Sequence, residues 1–200
     1  MALNFANNNS LSAITAKPSG LAGGGLNLIS TQTASSSANL SFTSGIDSTY
    51  KEYVFKFINI HPATNGSHFT FQGSTDGGSN YGVTITSTAF STEHNEADTS
   101  TDLSYQTAVD LAQSTNFQRI TSSNSNNNDD NAVGFLHLFD PSNTTFVKHF
   151  IINGNTVASA YTVGTFIAGY FNSTNDIDAI QFKMSSGNID SGVIKLYGVS

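Results

Sequence analysis

Chemistry has few places to reside in this 200-residue chain, and the densest is His94 with Glu93, Glu96 and Asp98. An imidazole beside carboxylates in a loop is a donor set for a divalent cation. This set has no spaced second histidine and sits among Ser, Thr and Asn, so a solvated acidic loop is the expectation. Asp129-Asp130, flanked by Asn126, Asn127, Asn128 and Asn131, offers oxygen ligands to calcium. It shows neither EF-hand spacing nor a closing Glu, and a plain loop is expected there too. With no cysteine and no G-x-S-x-G elbow, nucleophilic catalysis has no foothold. Paired carboxylates for glycoside hydrolysis can meet from distant strands, but carboxylates are few and no Trp is present as a sugar platform. The reading is a non-enzymatic protein with no cofactor and no bound metal.

The elements that would position any site are strands. Ser, Thr and Asn together number 73, against 21 charged residues, while 15 Phe and 7 Tyr recur in short alternating runs. Uncharged polar residues fill turns and outward strand faces, and aromatic and β-branched residues fill inward ones. The expected fold class is all-β: an antiparallel β-sandwich, jelly-roll-like, over residues 25–200, preceded by an extended N-terminal arm over 1–24. A single Arg and a net charge of −7 leave nothing to neutralise phosphates, so no nucleic acid is expected. No apolar stretch approaches 18 residues, so no membrane partner is expected either. The N-terminus lacks a basic, then apolar, leader pattern. The matches to N-x-S/T at Asn8, Asn39, Asn65, Asn143 and Asn172 follow from composition.

Along the chain, strands are expected at about 26–33 and 38–44, with Ser35-Ser36-Ser37 as the loop between them. In Tyr53–Ile60, Tyr53, Phe55 and Phe57 share one face, while Val54, Lys56, Ile58 and Ile60 share the other. A hairpin over 68–86 turns at Asp76-Gly77-Gly78. A short helix is expected around 104–113, from Leu103, Tyr105, Ala108, Val109 and Leu111. Residues 157–171 read as two strands broken near Gly164, and 177–199 as a closing hairpin.

The most legible unit is the hairpin over 132–152, with its turn at Asp140-Pro141-Ser142-Asn143. Pairing Phe139 with Thr144 puts Phe135, His137 and Phe139 on one face with Phe146, Lys148 and Phe150. Leu136, Leu138, Val147, His149 and Ile151 take the other. Both faces are apolar, as in a strand pair covered by another layer or another subunit. Phe135, His137, Phe139, Phe146 and Phe150 are therefore the candidate subunit interface. His137 and His149, on opposite faces, form no catalytic pair.

The segments Gly45–Tyr50, Phe57–Pro62, Leu136–Asp140, Phe146–Phe150 and Ile180–Gly198 resemble virion structural proteins of marine tailed bacteriophages. The resemblance runs from about residue 38 to the end and is strongest in the C-terminal segment. It implies a particle component; the absence of cysteine and the polar, weakly charged composition already point to folding in host cytoplasm and release by lysis. It implies partnership with further copies of itself, as a trimer or other symmetric oligomer, and with the major capsid protein or other virion proteins. It leaves open whether the place is the capsid exterior, as a decoration protein, or the tail. In the tail it would be a receptor-binding module, with Tyr50, Tyr81, Tyr105 and Tyr161 as contacts for host glycan or protein. These are scaffold motifs, and no site residues carry over from them.

Overall fold

A computed structural model describes residues 25–200, and the expected arm over 1–24 lies outside the described residues. The strands are β1 (Leu26–Ser37), β2 (Leu40–Phe42), β3 (Glu52–Pro62), β4 (Phe69–Ser74), β5 (Ile85–Asn95) and β6 (Thr101–Tyr105). They continue as β7 (Gln118–Arg119), β8 (Ala132–Phe139), β9 (Lys148–Ala158), β10 (Tyr161–Phe171), β11 (Ala179–Met184) and β12 (Ile189–Val199). One sheet has eight strands in the order β1-β12-β3-β8-β9-β10-β5-β6, and the other has four in the order β2-β11-β4-β7. Every pairing is antiparallel. The fold is all-β and sandwich-like, with one core cluster drawing on both sheets.

That core is built on aromatic rings supplied by strand alternation. Phe55 and Phe57 of β3 and Phe150 of β9 face Phe42, Phe69, Phe71 and Phe182 of the small sheet. Phe182 is the hub, with ring centroids 5.2 Å from Phe55, 5.3 Å from Phe57 and 5.7 Å from Phe69. Such ring pairs add about 0.5–1.5 kcal/mol each beyond their area burial.

The structure departs from several of the sequence expectations. The 68–86 segment makes its turn at Asp76, but it is no hairpin: β4 belongs to the small sheet and β5 to the large one. The turn is a corner between layers, held by Asp76, whose carboxylate accepts from Asn80 N and Nδ2 and from Ser74 Oγ. The expected closing hairpin divides in the same way, β11 in one sheet and β12 in the other, at a corner where Gly187 takes φ +69°. A two-residue-period pattern on both sides of a turn fixes two strands without fixing that they pair.

No helix forms over 104–113. Leu103 and Tyr105 continue a strand paired to β5, and only the single turn at Gln106–Asp110 is helical in its bonding. Ser35–Ser37 stays in β1, and β10 runs through Gly164 without a break. Ile60 faces inward with Phe57, because the pairing of β3 with β8 shifts between Phe57 and Ile60, where Asn59 takes φ +52°. A bulge of one residue reverses the parity of everything after it.

Candidate functional site

The inner face of the large sheet packs on the core it shares with the small sheet, so the side chains this sheet leaves free to meet another molecule are chiefly those of its outer face. The register of the β8–β9 pair decides what that face displays. The turn at Asp140–Asn143 forms, with Asn143 N donating to the Asp140 carbonyl at 3.0 Å. The connection then continues to Val147, because Asn143 Oδ1 also accepts from the N–H groups of Thr145 and Phe146. Leu138 consequently pairs with Phe150 and His137 with Ile151. The offset from the expected register is an odd number of residues, so the faces of β9 exchange.

The candidate interface is thereby divided. Phe135, His137 and Phe139 do share the outer face. Phe150 instead lies at 0% exposure in the core, against Phe71 and Phe171. Phe146 sits in the connecting loop, 69% exposed and outside the strand ladder. His149 joins His137 on the outer face rather than opposing it, beside Tyr170 at 5.9 Å between rings.

Directly paired residues form continuous rows across this face. The middle row is Lys195, Lys56, Phe135, Asn153, Phe166, Phe90 and Tyr105, each opposite the next on β12, β3, β8, β9, β10, β5 and β6. A flanking row runs Tyr197, Val54, His137, Ile151, Ala168 and Thr88. Phe90 and Phe166 stack at 4.9 Å with 13° between ring planes. Phe90 is 45% exposed, Ile151 50% and Tyr105 54%. The small side chain of Ala168 lowers the floor between these walls. One depression of about 330 Å³ is lined by Phe90, Phe135, Ile151, Phe166 and Ala168. A second of about 520 Å³ adjoins it over Ala168, Gly169, His149 and Tyr170.

Charge on the face is unevenly placed. His137 Nδ1 and Glu52 Oε1 hydrogen-bond to each other, and the imidazole lies between Phe135 and Phe139. Lys56 and Lys195 are directly paired across β3 and β12, and neither has a carboxylate within ion-pair distance among the described residues. Lys56 Nζ instead sits 5.4 Å from the centre of the Tyr197 ring. At the opposite edge the Tyr105 hydroxyl donates to Asp110 Oδ2 at 2.7 Å.

The acidic loops lie elsewhere. His94 Nε2 is 3.0 Å from Asp98 Oδ1 at the exposed tip of the β5–β6 hairpin. Glu93 and Glu96 do not join them, and among the described residues no three His, Asp or Glu gather into a metal centre. Asp130 is buried and structural: its Oδ2 accepts from Asn127 Nδ2 and from Ser159 N, both at 3.1 Å, tying the Asn-rich loop to the β9–β10 turn. Asn126, Asn127, Asn128 and Asp129 are exposed. Hydrogen bonds, chiefly from Asn80 and Ser74, hold the Asp76 carboxyl down to about 2.

The sequence reading assigned Ile151 to the face opposite Phe135 and Tyr105 to receptor contact; the face residues that it missed are Phe90 and Phe166. Their signal was period-two alternation along the strands now seen at 85–95 and 161–171. It was obscured because the first of these was placed too early and the second divided. No helix among the described residues is long and apolar enough to cross a membrane. No family model, no curated protein and no solved structure matches the chain.

Proposed function

We propose that the chain is a non-enzymatic structural protein of a bacteriophage virion, a decoration or cement protein on the head exterior. The observation that carries this reading is the outer face of the large sheet: Phe90, Phe135, Ile151 and Tyr105 stand exposed there, in rows that Lys, His and Asn interrupt, on a protein otherwise coated in Ser, Thr and Asn. Soluble monomers seldom present apolar patches of this extent, and such patches mark surfaces that another molecule covers. The function is mechanical. Each copy buries apolar area on its neighbours, other copies and the capsid lattice alike, at roughly 25 cal/mol per Å² before the costs of association. Repetition by symmetry multiplies small contacts into resistance to internal pressure. A jelly-roll connectivity and an N-terminal arm over 1–24 that lies on a neighbouring subunit belong to this reading. So do folding in the host cytoplasm and release at lysis.

A second reading, a tail-fibre module that recognises host glycan or protein, draws on the exposure of Tyr105 on the edge strand β6 and of Tyr161 at the start of β10. Quantitative mass spectrometry of purified particles separates the two. Hundreds of copies per particle are expected for a head decoration protein. A few to a few dozen would transfer the chain to the tail, and its absence from particles would overturn both readings.

A further inference from the structure

The rows of the outer face are self-complementary, and we infer that the molecule covering this face is a second copy of the same chain. The two copies pack sheet to sheet about a two-fold axis that runs parallel to the strands through β9. This rests on the reading above that the face is covered in the assembled state; it adds the occupant and the geometry. In the eight-strand order β9 is fifth, so the rotation sets β8 against β10, β3 against β5 and β12 against β6 of the partner subunit. Along the middle row Phe135 then meets Phe166 of the partner subunit, and Lys56 meets the stacked ring of Phe90 of the partner subunit. Lys195 meets the partner's Tyr105 and Asp110. Asn153 lies on the axis, where its amide faces its own copy and both donates and accepts. In the flanking row His137 stands over Ala168 of the partner subunit, so the ring enters the trough that the small residue leaves.

Charge favours an axis along the strands over one that runs across them through the middle row. Lys56 and Lys195 are adjacent like charges with no carboxylate beside them, an arrangement that disfavours the isolated sheet. A two-fold axis across the strands would set that pair against its own copy, which costs specificity and affinity together. The axis along the strands sets it against an aromatic face and a carboxylate. Aligned sheets cross at about 30°, which displaces the outer strands by roughly one row of side chains, within the reach of a lysine. An isologous contact of this kind closes after two copies. It favours a dimer, or a dimer-built assembly, over a trimer formed through this face.

The area suffices. Beyond the flanking row lies a third, with Glu52 paired to Phe139 and His149 to Tyr170 and Tyr170 to Thr86; seven strands about 4.8 Å apart and three same-face rows about 7 Å apart cover roughly 34 by 20 Å. That is on the order of 700 Å² of flat footprint per copy, before side-chain relief, against about 800 Å² per partner in a standard stable interface.

Sedimentation equilibrium of the full-length chain tests the inference. The native protein is expected to run at twice its chain mass in the micromolar range. Inverting Lys56→Glu and Lys195→Glu together should weaken association at least tenfold, and adding Asp110→Lys to that variant should restore much of it. Ala168→Glu, at an exposed position that the fold does not use, should abolish association while leaving the circular dichroism spectrum unchanged. A native monomer at tens of micromolar, a trimer, or a dimer indifferent to all of these variants would overturn the inference. Particle composition reports separately on the reading beneath it. A monomer in solution that is abundant in particles ends the two-fold pairing alone. A dimer that is absent from particles ends the virion reading alone.

Discussion

The two faces of the large sheet are made by the same strands, one residue out of phase, and they differ in what their aromatic rings meet. On the inner face Phe55, Phe57 and Phe150 are at 0–3% exposure and touch rings of the opposite sheet from several directions. On the outer face Phe135, Phe166 and Phe90 touch only neighbours in their own sheet, and lysine, histidine and asparagine interrupt their rows. A core ring has its partners supplied by the fold. An outer ring has partners on its flanks and none above it. The inner face therefore accounts for stability, and the outer face is available for association at small cost to the fold.

Removing the hub of the inner face should show the largest effect. Phe182→Ala deletes a ring at 0% exposure that contacts five others. The expected loss is about 3–5 kcal/mol, seen as a lower denaturant midpoint at unchanged slope. A loss below about 1 kcal/mol would mean that the small sheet is not packed on the large one as described. Gly134→Ala tests the seam between the faces. Gly134 takes φ +155° opposite Gly154, and a Cβ there would stand 2.4 Å from the Asn153 carbonyl oxygen. Moving backbone to relieve that contact should cost on the order of 1–3 kcal/mol. Because β8 and β9 carry both faces, it should also weaken self-association.

Phe166→Ala on the outer face should behave oppositely to Phe182→Ala. It removes one stacked pair, worth about 0.5–1.5 kcal/mol, from a half-exposed position, so unfolding measured on dilute monomer should change by about 1 kcal/mol or less. If this variant destabilises the monomer as much as Phe182→Ala does, the outer face is part of the core and the contrast between faces fails.

Much of this contrast was legible in sequence, and its failures share a cause. Alternation in Tyr53–Phe57 grouped the inward residues correctly, because burial acts on every second residue of a straight strand. Which strands pair depends on where the chain changes layers, and Asp76-Gly77-Gly78 reads the same at a corner as at a hairpin. The outer face was half legible. The apolar character of both sides of 132–152 was visible, but its register depended on Asn143 capping a connection longer than the turn it begins. That odd displacement moved Phe150 inward and His149 outward. Asn59 had the same effect on Ile60 through a bulge.

Lys148 is the charge that breaks the apolar inner face, and it gives the smallest of the expected effects. Its side chain is buried, with Nζ 3.3 Å from the Ser173 carbonyl oxygen, and burial lowers its pKa from 10.5 despite the opposing pull of Asp176 and Asp140. Between the folded pKa and 10.5 the unfolded chain holds more protons than the native one, so stability should rise with pH through that window. Tyr53 acts in the other direction. Burial raises its pKa above 10.0, so above that pH the unfolded chain releases its proton first and stability falls. Urea midpoints should therefore climb through the alkaline range and turn over near pH 10. Lys148→Met should flatten the climb, keep the turnover and be neutral or slightly stabilising at pH 7, as expected where an apolar side chain replaces a buried charge. A marked loss at pH 7 would show that the ammonium is held by more than one carbonyl, and that the inner face is less uniformly apolar than the outer is exposed.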